Sequence, residues 1–212
     1  MTLESSKILG GLGAILMFVG VLPQINYIGI IEIIGLILLL VALHNLANYY
    51  RDGGIFRQAI YGVAIAVVGA IIVGVLALAV VLSNIKDLIT QLYPGWNGDW
   101  STLQGMTPNT NNFDPTNIFP LIGGLLVALV IAWVFSIIAA FFIWRSLKQV
   151  SNKSNTGLFG TAGLILLIGA IIPIIGLILM WVSALILAIA FFTLKSHEQP
   201  IATAYSPPPP TI

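Results

Sequence analysis

The chain has 212 residues, 58% of them hydrophobic and 7% charged, with a mean hydropathy of +1.05 and a formal net charge of +1. A soluble domain is about a quarter charged, so this chain has too little charge to cover a water-facing surface, and a membrane-embedded fold is the class that fits. The small net charge argues against a nucleic-acid surface, and the absence of cysteine excludes disulfides, thiolate metal sites and cysteine nucleophiles.

A helix needs about 20 apolar residues to cross about 30 Å of hydrocarbon. Six such spans are predicted in chain order, giving an all-α polytopic transmembrane bundle. The first, 5–22, ends at Pro23 and lacks a small-residue cleavage site, so it reads as a retained span rather than a signal peptide. The second is 26–48 and the third 55–83. A polar stretch, 85–117, then separates them from the fourth, fifth and sixth spans at 118–147, 157–172 and 174–194. The spans form one domain, 1–194, followed by a proline-rich tail, 195–212, expected to be disordered because it has too little apolar surface to bury.

Basic residues set the orientation. With the N-terminus inside, Lys7, Arg51, Arg57, Arg145, Lys148, Lys153 and Lys195 all fall on the cytoplasmic side and only Lys86 falls outside, the bias that the positive-inside rule expects. Both termini are therefore expected in the cytoplasm of a multi-pass cell-membrane protein, with 85–117 as an external loop. Tyr49 and Tyr50 beside Arg51, and Trp144 beside Arg145, suit the headgroup level.

Small residues predict how the helices pack. Gly62, Ala66, Ala70 and Gly74 lie four apart in the third span; Gly124, Ala128, Ala132, Ser136 and Ala140 do so in the fourth. Residues at i and i+4 share a helix face, and close backbone approach is what joins helices in lipid. The two spans are expected to cross closely, stripe facing stripe or each against another helix, with Ala132→Leu destabilising or splitting the pair. A second pattern is a repeat: "GGLGAILMFVGVLP" at 10–23 returns 150 positions later as "GTAGLILLIGAIIP", with Gly10, Gly13 and Pro23 matching Gly160, Gly163 and Pro173. This reads as two similar helical hairpins, spans 1–2 and 5–6, with glycines for close approach at the inner end and proline for the outer turn. The second tip, "AIIPIIG", has no polar side chain and is expected to stay below the outer surface, covered by protein, with the loop as the candidate cover.

Candidate chemistry is sparse. Glu32 is the one charged residue well inside a predicted span. Intramembrane carboxyls are costly and often functional, so it reads either as a proton or cation site or as a protonated or hydrogen-bonded group a turn or two below the outer surface. Gly29 and Gly35, at i−3 and i+3, point it toward a neighbouring helix. His44, Asn45 and Asn48 are assigned to headgroups or helix capping, and two distant histidines make no metal site. In the loop, Tyr93, Trp96 and Trp100 are expected to cover the bundle, with turns at Pro94-Gly95 and Asn97-Gly98. No Walker loop, dinucleotide fingerprint, zinc-protease motif or Ser-His-Asp set occurs.

"LESSKILGGLGAILMFVG" (3–20), "LANYYRDGGIFRQAIYG" (46–62) and "LFGTAGLILLIGAIIPIIG" (158–176) resemble the archaeal and bacterial membrane proteins grouped as domain of unknown function 996. The resemblance implies a multi-pass membrane protein and carries no catalytic residues across. Isoleucine richness, the lack of cysteine and the polar "NTNN" suit an archaeal source. The reading that results is a non-enzymatic accessory or scaffold subunit of a membrane assembly, without cofactor, metal or nucleic acid. Its partners would be the lipid bilayer and other membrane subunits or further copies of itself. The alternative is a small ion or solute transporter or channel centred on Glu32.

Overall fold

A computed structural model of the chain describes residues 3–22, 29–109 and 114–195, and its regular structure there is helical. Six α-helices follow one another: α1 Leu3–Gly20, α2 Ile30–Tyr49, α3 Gly53–Leu92, α4 Phe119–Ser154, α5 Gly157–Ile171 and α6 Ile175–Phe192. Two short 3₁₀ turns, Trp100–Gly105 and Pro115–Ile118, lie between α3 and α4. Pro23 and the first hairpin tip, whose Gln24, Asn26 and Tyr27 the sequence reading assigns to the outer interface, fall outside the described residues, as does the tail beyond Lys195.

Three boundaries differ from the sequence reading, one of them the end of α4, which runs on to Ser154 rather than stopping near 147. The predicted loop at 85–117 starts later, because α3 continues to Leu92; no glycine or proline interrupts 85–92, and Lys86, Asp87 and Thr90 are exposed along its surface. α2 begins at Ile30 rather than near 26, after Gly29 adopts a left-handed φ of 72° that a continuing helix does not allow.

The helices form a closed ring. Each packs against its neighbours in sequence, and α6 returns to α1. Four seams carry a side chain that donates across to a backbone carbonyl. Ser146 Oγ bonds Ile55 O (2.7 Å) between α4 and α3, and Trp133 Nε1 bonds Ala170 O (2.9 Å) between α4 and α5. Ser183 Oγ bonds Ala162 O (2.7 Å) between α6 and α5, and Trp181 Nε1 bonds Phe18 O (2.8 Å) between α6 and α1. In lipid such bonds satisfy polar groups that have no water to turn to. The α1–α2 seam uses glycine instead: Gly13 and Gly35 face each other so closely that a Cβ on either would stand 2.7 Å from the other's carbonyl oxygen.

The ring is tight at one end only. Lys7, Arg51, Arg57, Arg145, Lys148, Lys153 and Lys195 lie toward the end where α2, α4 and α6 finish and α1, α3 and α5 start. At this basic end Leu43, Leu46, Ile55, Leu147, Val150, Phe159 and Phe191 are almost fully buried, and Phe159 meets Phe191 edge-on with centroids 5.0 Å apart. Short turns brace it. Asp52 caps α3 by accepting from Gly54 N–H (3.0 Å), and its carboxylate lies 3.8 Å from Lys153 Nζ at the end of α4.

Helix lengths explain why the other end is open. At 1.5 Å per residue, the 40 residues of α3 and 36 of α4 span about 60 and 54 Å, whereas the 15 of α5 span about 22 Å. The halves of α3 and α4 remote from the basic end therefore extend past the shorter helices and pack on each other, with Trp133 still reaching α5. The 3₁₀ turn Pro115–Ile118 rests on these two helices. The loop thus caps the α3–α4 pair instead of covering the whole bundle. Within it, Trp96 is 8% exposed, donates from Nε1 to Asp99 O (2.7 Å) and meets Trp100 edge-on at 5.2 Å.

The second hairpin tip corrects another expectation. Ile174 is 84% exposed, and Pro173 and Ile175 are exposed with it, so no described part of the chain covers the tip. Its backbone is satisfied within the turn: Ile175 N–H donates to Pro173 O (2.8 Å) and Gly176 N–H to Ile172 O (3.0 Å). That tight turn holds Ile174 at φ 68°, a strained conformation for a β-branched residue. α5 is the shortest of the six helices, so this tip stands nearer the basic end than the far ends of α3 and α4 do.

Candidate functional site

The open end contains a cavity of about 510 Å³ enclosed by four helices. α1 contributes Met17, with Val21 just beyond its end; α2 contributes Glu32, Ile33 and Leu36, and α5 contributes Leu166. α6 supplies Leu177, Met180, Trp181 and Ala184. Glu32 is the one charged side chain in this wall. It is half-buried and makes no hydrogen bond or ion pair among the described residues. The helix start explains its depth. As the third residue of α2, seventeen residues before Tyr49, it stands about 26 Å from the basic end, close to one full hydrocarbon thickness. A carboxylate in a first helical turn also faces the positive end of the helix dipole.

The opposite wall is rigid. Trp181 stacks on Phe18 with centroids 4.5 Å apart and planes 4° from parallel, and its Nε1 is tied to the Phe18 carbonyl. The cavity is closed toward the basic end by the packed core of Leu43, Leu46, Phe159 and Phe191. Its rim is open, with Ile33 57% and Leu177 70% exposed.

The other predicted residues separate into groups. Gly62 faces Ala139 and Ile143 of α4, Gly69 faces Phe135, and Gly124 faces Val80, so α3 and α4 are antiparallel and close. The stripe in α3 nevertheless leaves the seam. Residues four apart advance by 400°, a drift of about 40° per step, while a seam between two long helices follows a spacing near seven. Ala66 and Ala70 line a cleft of about 210 Å³ with Ala132 and Ser136, and Gly74 has nothing within 4 Å of where a Cβ would sit. In α4, Ala128 is 3% exposed. Ala140, also buried, shares a face with Trp133 and Trp144, both of which meet α5. The sensitive position therefore moves from Ala132 to Ala128, because a larger side chain at 132 has the cleft to enter.

The repeated frame does not do one job twice. Gly10 lies against the Phe191 ring of α6 and Gly13 against α2, whereas Gly160 meets Ser151 and Gly163 meets Trp144 and Leu147, all of α4. The counterpart of the Gly13–Gly35 crossing in the second hairpin is Gly169–Gly176, which the repeat does not mark. Pro173 does occupy the turn.

Asn45 was also assigned differently by the sequence. It is 4% exposed, with neither amide atom hydrogen-bonded among the described residues, rather than at the headgroups. Its neighbour His44 is exposed, bonds Asn48 (3.1 Å) and meets Phe56 edge-on. No group of three or more His, Cys, Asp or Glu able to hold a metal occurs among the described residues.

Five helices long and apolar enough to cross a membrane, a shorter sixth and polar staples to backbone carbonyls define the class: a polytopic α-helical membrane protein. The particular family follows from sequence comparison. The family described as protein of unknown function (DUF996) matches residues 31–186, and the chain belongs to it. The chain is also similar to the uncharacterized protein MJ1644 of the archaeon Methanocaldococcus jannaschii, at 28% identity over 196 residues, covering 92% of this chain and 94% of that one. No solved structure matches.

Proposed function

We propose that the protein is a non-enzymatic accessory or scaffold subunit of a membrane assembly, with both termini and the basic end in the cytoplasm. The observation that carries this is the α3–α4 pair. Apart from Trp133, whose indole reaches Ala170 of α5, the half remote from the basic end is braced by the Gly69–Phe135 and Gly124–Val80 contacts, and it presents Val67, Ile71, Val75 and Leu78 on α3 and Leu126 and Leu129 on α4. Helices in lipid associate through shape, and a stiff, extended two-helix arm offers a long surface for other membrane helices. Purification in a gentle detergent, with identification of co-purifying chains, tests the reading. A partner or a higher oligomer, lost when Val75 and Leu126 are both changed to Trp, is expected; a lone monomer in both cases would contradict it.

The second reading, a small transporter or channel at Glu32, is favoured by the cavity that Glu32 lines. It is disfavoured by the packed core beneath, which leaves no continuous polar route through the ring. Ion flux in liposomes that Glu32→Gln abolishes would establish it over the scaffold role.

A further inference from the structure

We propose that the Glu32 cavity binds an amphiphile with an ammonium head and a hydrocarbon chain, entering from the outer leaflet; the proposal does not rest on the accessory role. Three observations converge on this ligand class. First, Glu32 is a half-buried acidic group in an otherwise apolar wall with no partner among the described residues, an arrangement that favours a cation beside it. Second, the rest of the wall contributes no side-chain oxygen among the described residues. Calcium or magnesium wants six or more oxygens, and one carboxylate among Met17, Leu36, Leu166 and Met180 does not supply them. An alkylammonium does not need them: its head meets Glu32 and headgroup-level water, and its chain replaces lipid against the apolar wall. Third, the cavity is large and its mouth faces the bilayer. A volume of about 510 Å³ is in the range of small-molecule sites, and Ile33 and Leu177 at the rim are exposed. The fixed ring of Trp181 and the two flexible thioethers give one firm and one adaptable surface for a chain.

The test uses the full chain purified in a neutral maltoside detergent, with its thermal midpoint read against added dodecylammonium, dodecanol or laurate. Dodecylammonium is expected to raise the midpoint saturably, and the uncharged and anionic chains of equal length are not. Glu32→Gln keeps the shape of a protonated carboxyl and removes the charge, and should weaken the apparent affinity at least about tenfold, the size expected for a charge-assisted contact. Ala184→Phe fills the cavity with Glu32 in place and should weaken it comparably, which keeps the test valid if the Glu32 variant does not fold. Equal stabilisation by dodecanol, or unchanged affinity in a folded variant of either kind, would overturn the proposal. Nanodiscs separate the two sources of the same chemistry. If ammonium-headed phospholipid, but not phosphatidylglycerol, abolishes the response to dodecylammonium, a lipid headgroup fills the site; if the response persists in both, a free amphiphile does.

Discussion

The Gly13–Gly35 crossing yields a prediction of sign as well as size. A methyl group at Gly13 would stand 2.7 Å from Gly35 O and 2.9 Å from Leu39 N, where ordinary contact begins at 3.4 Å. Both obstacles are backbone atoms of α2, so no rotamer change relieves them, and the seam must open by about 0.7 Å at this point. Overpacking of this kind costs about 1–3 kcal/mol. Gly74 is a matched control of identical chemistry: an added Cβ meets nothing within 4 Å, and replacing a mid-helix glycine with alanine is favourable by up to about 1 kcal/mol. Gly13→Ala should therefore lower the thermal midpoint in mild detergent by a few to about ten degrees, with Gly74→Ala neutral or raising it. Circular dichroism or fluorescence-detected gel filtration after heating reads both. A rise with Gly13→Ala, or equal shifts for the two variants, would refute the close crossing.

Three other outcomes follow from the same reasoning. Ala128→Leu should destabilise by about 1–3 kcal/mol, while Ala132→Leu, with a cleft of about 210 Å³ to enter, should cost less than about 1 kcal/mol in the same thermal assay. Ser146→Ala removes the buried bond to Ile55 O and should cost about 0.6–1.5 kcal/mol, whereas Ser136→Ala, whose hydroxyl bonds only Trp133 O within its own helix, should be near neutral. Asp99 accepts from the Ser101 N–H and hydroxyl, and these bonds hold its carboxyl below the ordinary aspartate range. A depressed folded value contributes order that is present above the ordinary range and lost as pH falls through the folded value. Emission from Trp96 and Trp100 should thus stay constant from neutral pH down to that range and change only below it. Asp99→Ala should alter it at neutral pH.

Different parts of the molecule were legible to different degrees. Composition, six apolar runs and the one-sided basic residues define the helices and their alternation, because these depend on local chemistry and on the bilayer. The length of α3 was less visible, while α5 at Gly157–Ile171 is within a residue of the expected 157–172: hydropathy marks where the apolar run stops, whereas α3 continues through Lys86 and Asp87 until the turn at Pro94. The four-residue stripes identified the correct helix pair but not the correct face at each step, since a period of four drifts away from a seam of seven. At Gly10 and Gly160 the repeat exposed shared spacing without shared contacts. Glu32 stood out by charge alone, but its partners in the cavity come from α1, α5 and α6. Trp181 and Leu166 carry no signal linking them to it, because that proximity exists only once the ring closes. Asn45 is similar: burial at a seam is a property of the assembled ring.

The most direct test of the account is single-cysteine labelling, made clean by a chain with no cysteine of its own. Ser101→Cys, Asn152→Cys and Ile174→Cys place one thiol each in the outer loop, at the basic end and at the second hairpin tip. With a membrane-impermeant maleimide on intact cells, the thiol at 101 should react and those at 152 and 174 should not. After the membrane is opened, the thiol at 152 should react as well and that at 174 should remain slow. Labelling of 152 from outside would contradict the orientation, and labelling of 174 as strong as that of 101 would contradict a tip held within the bilayer.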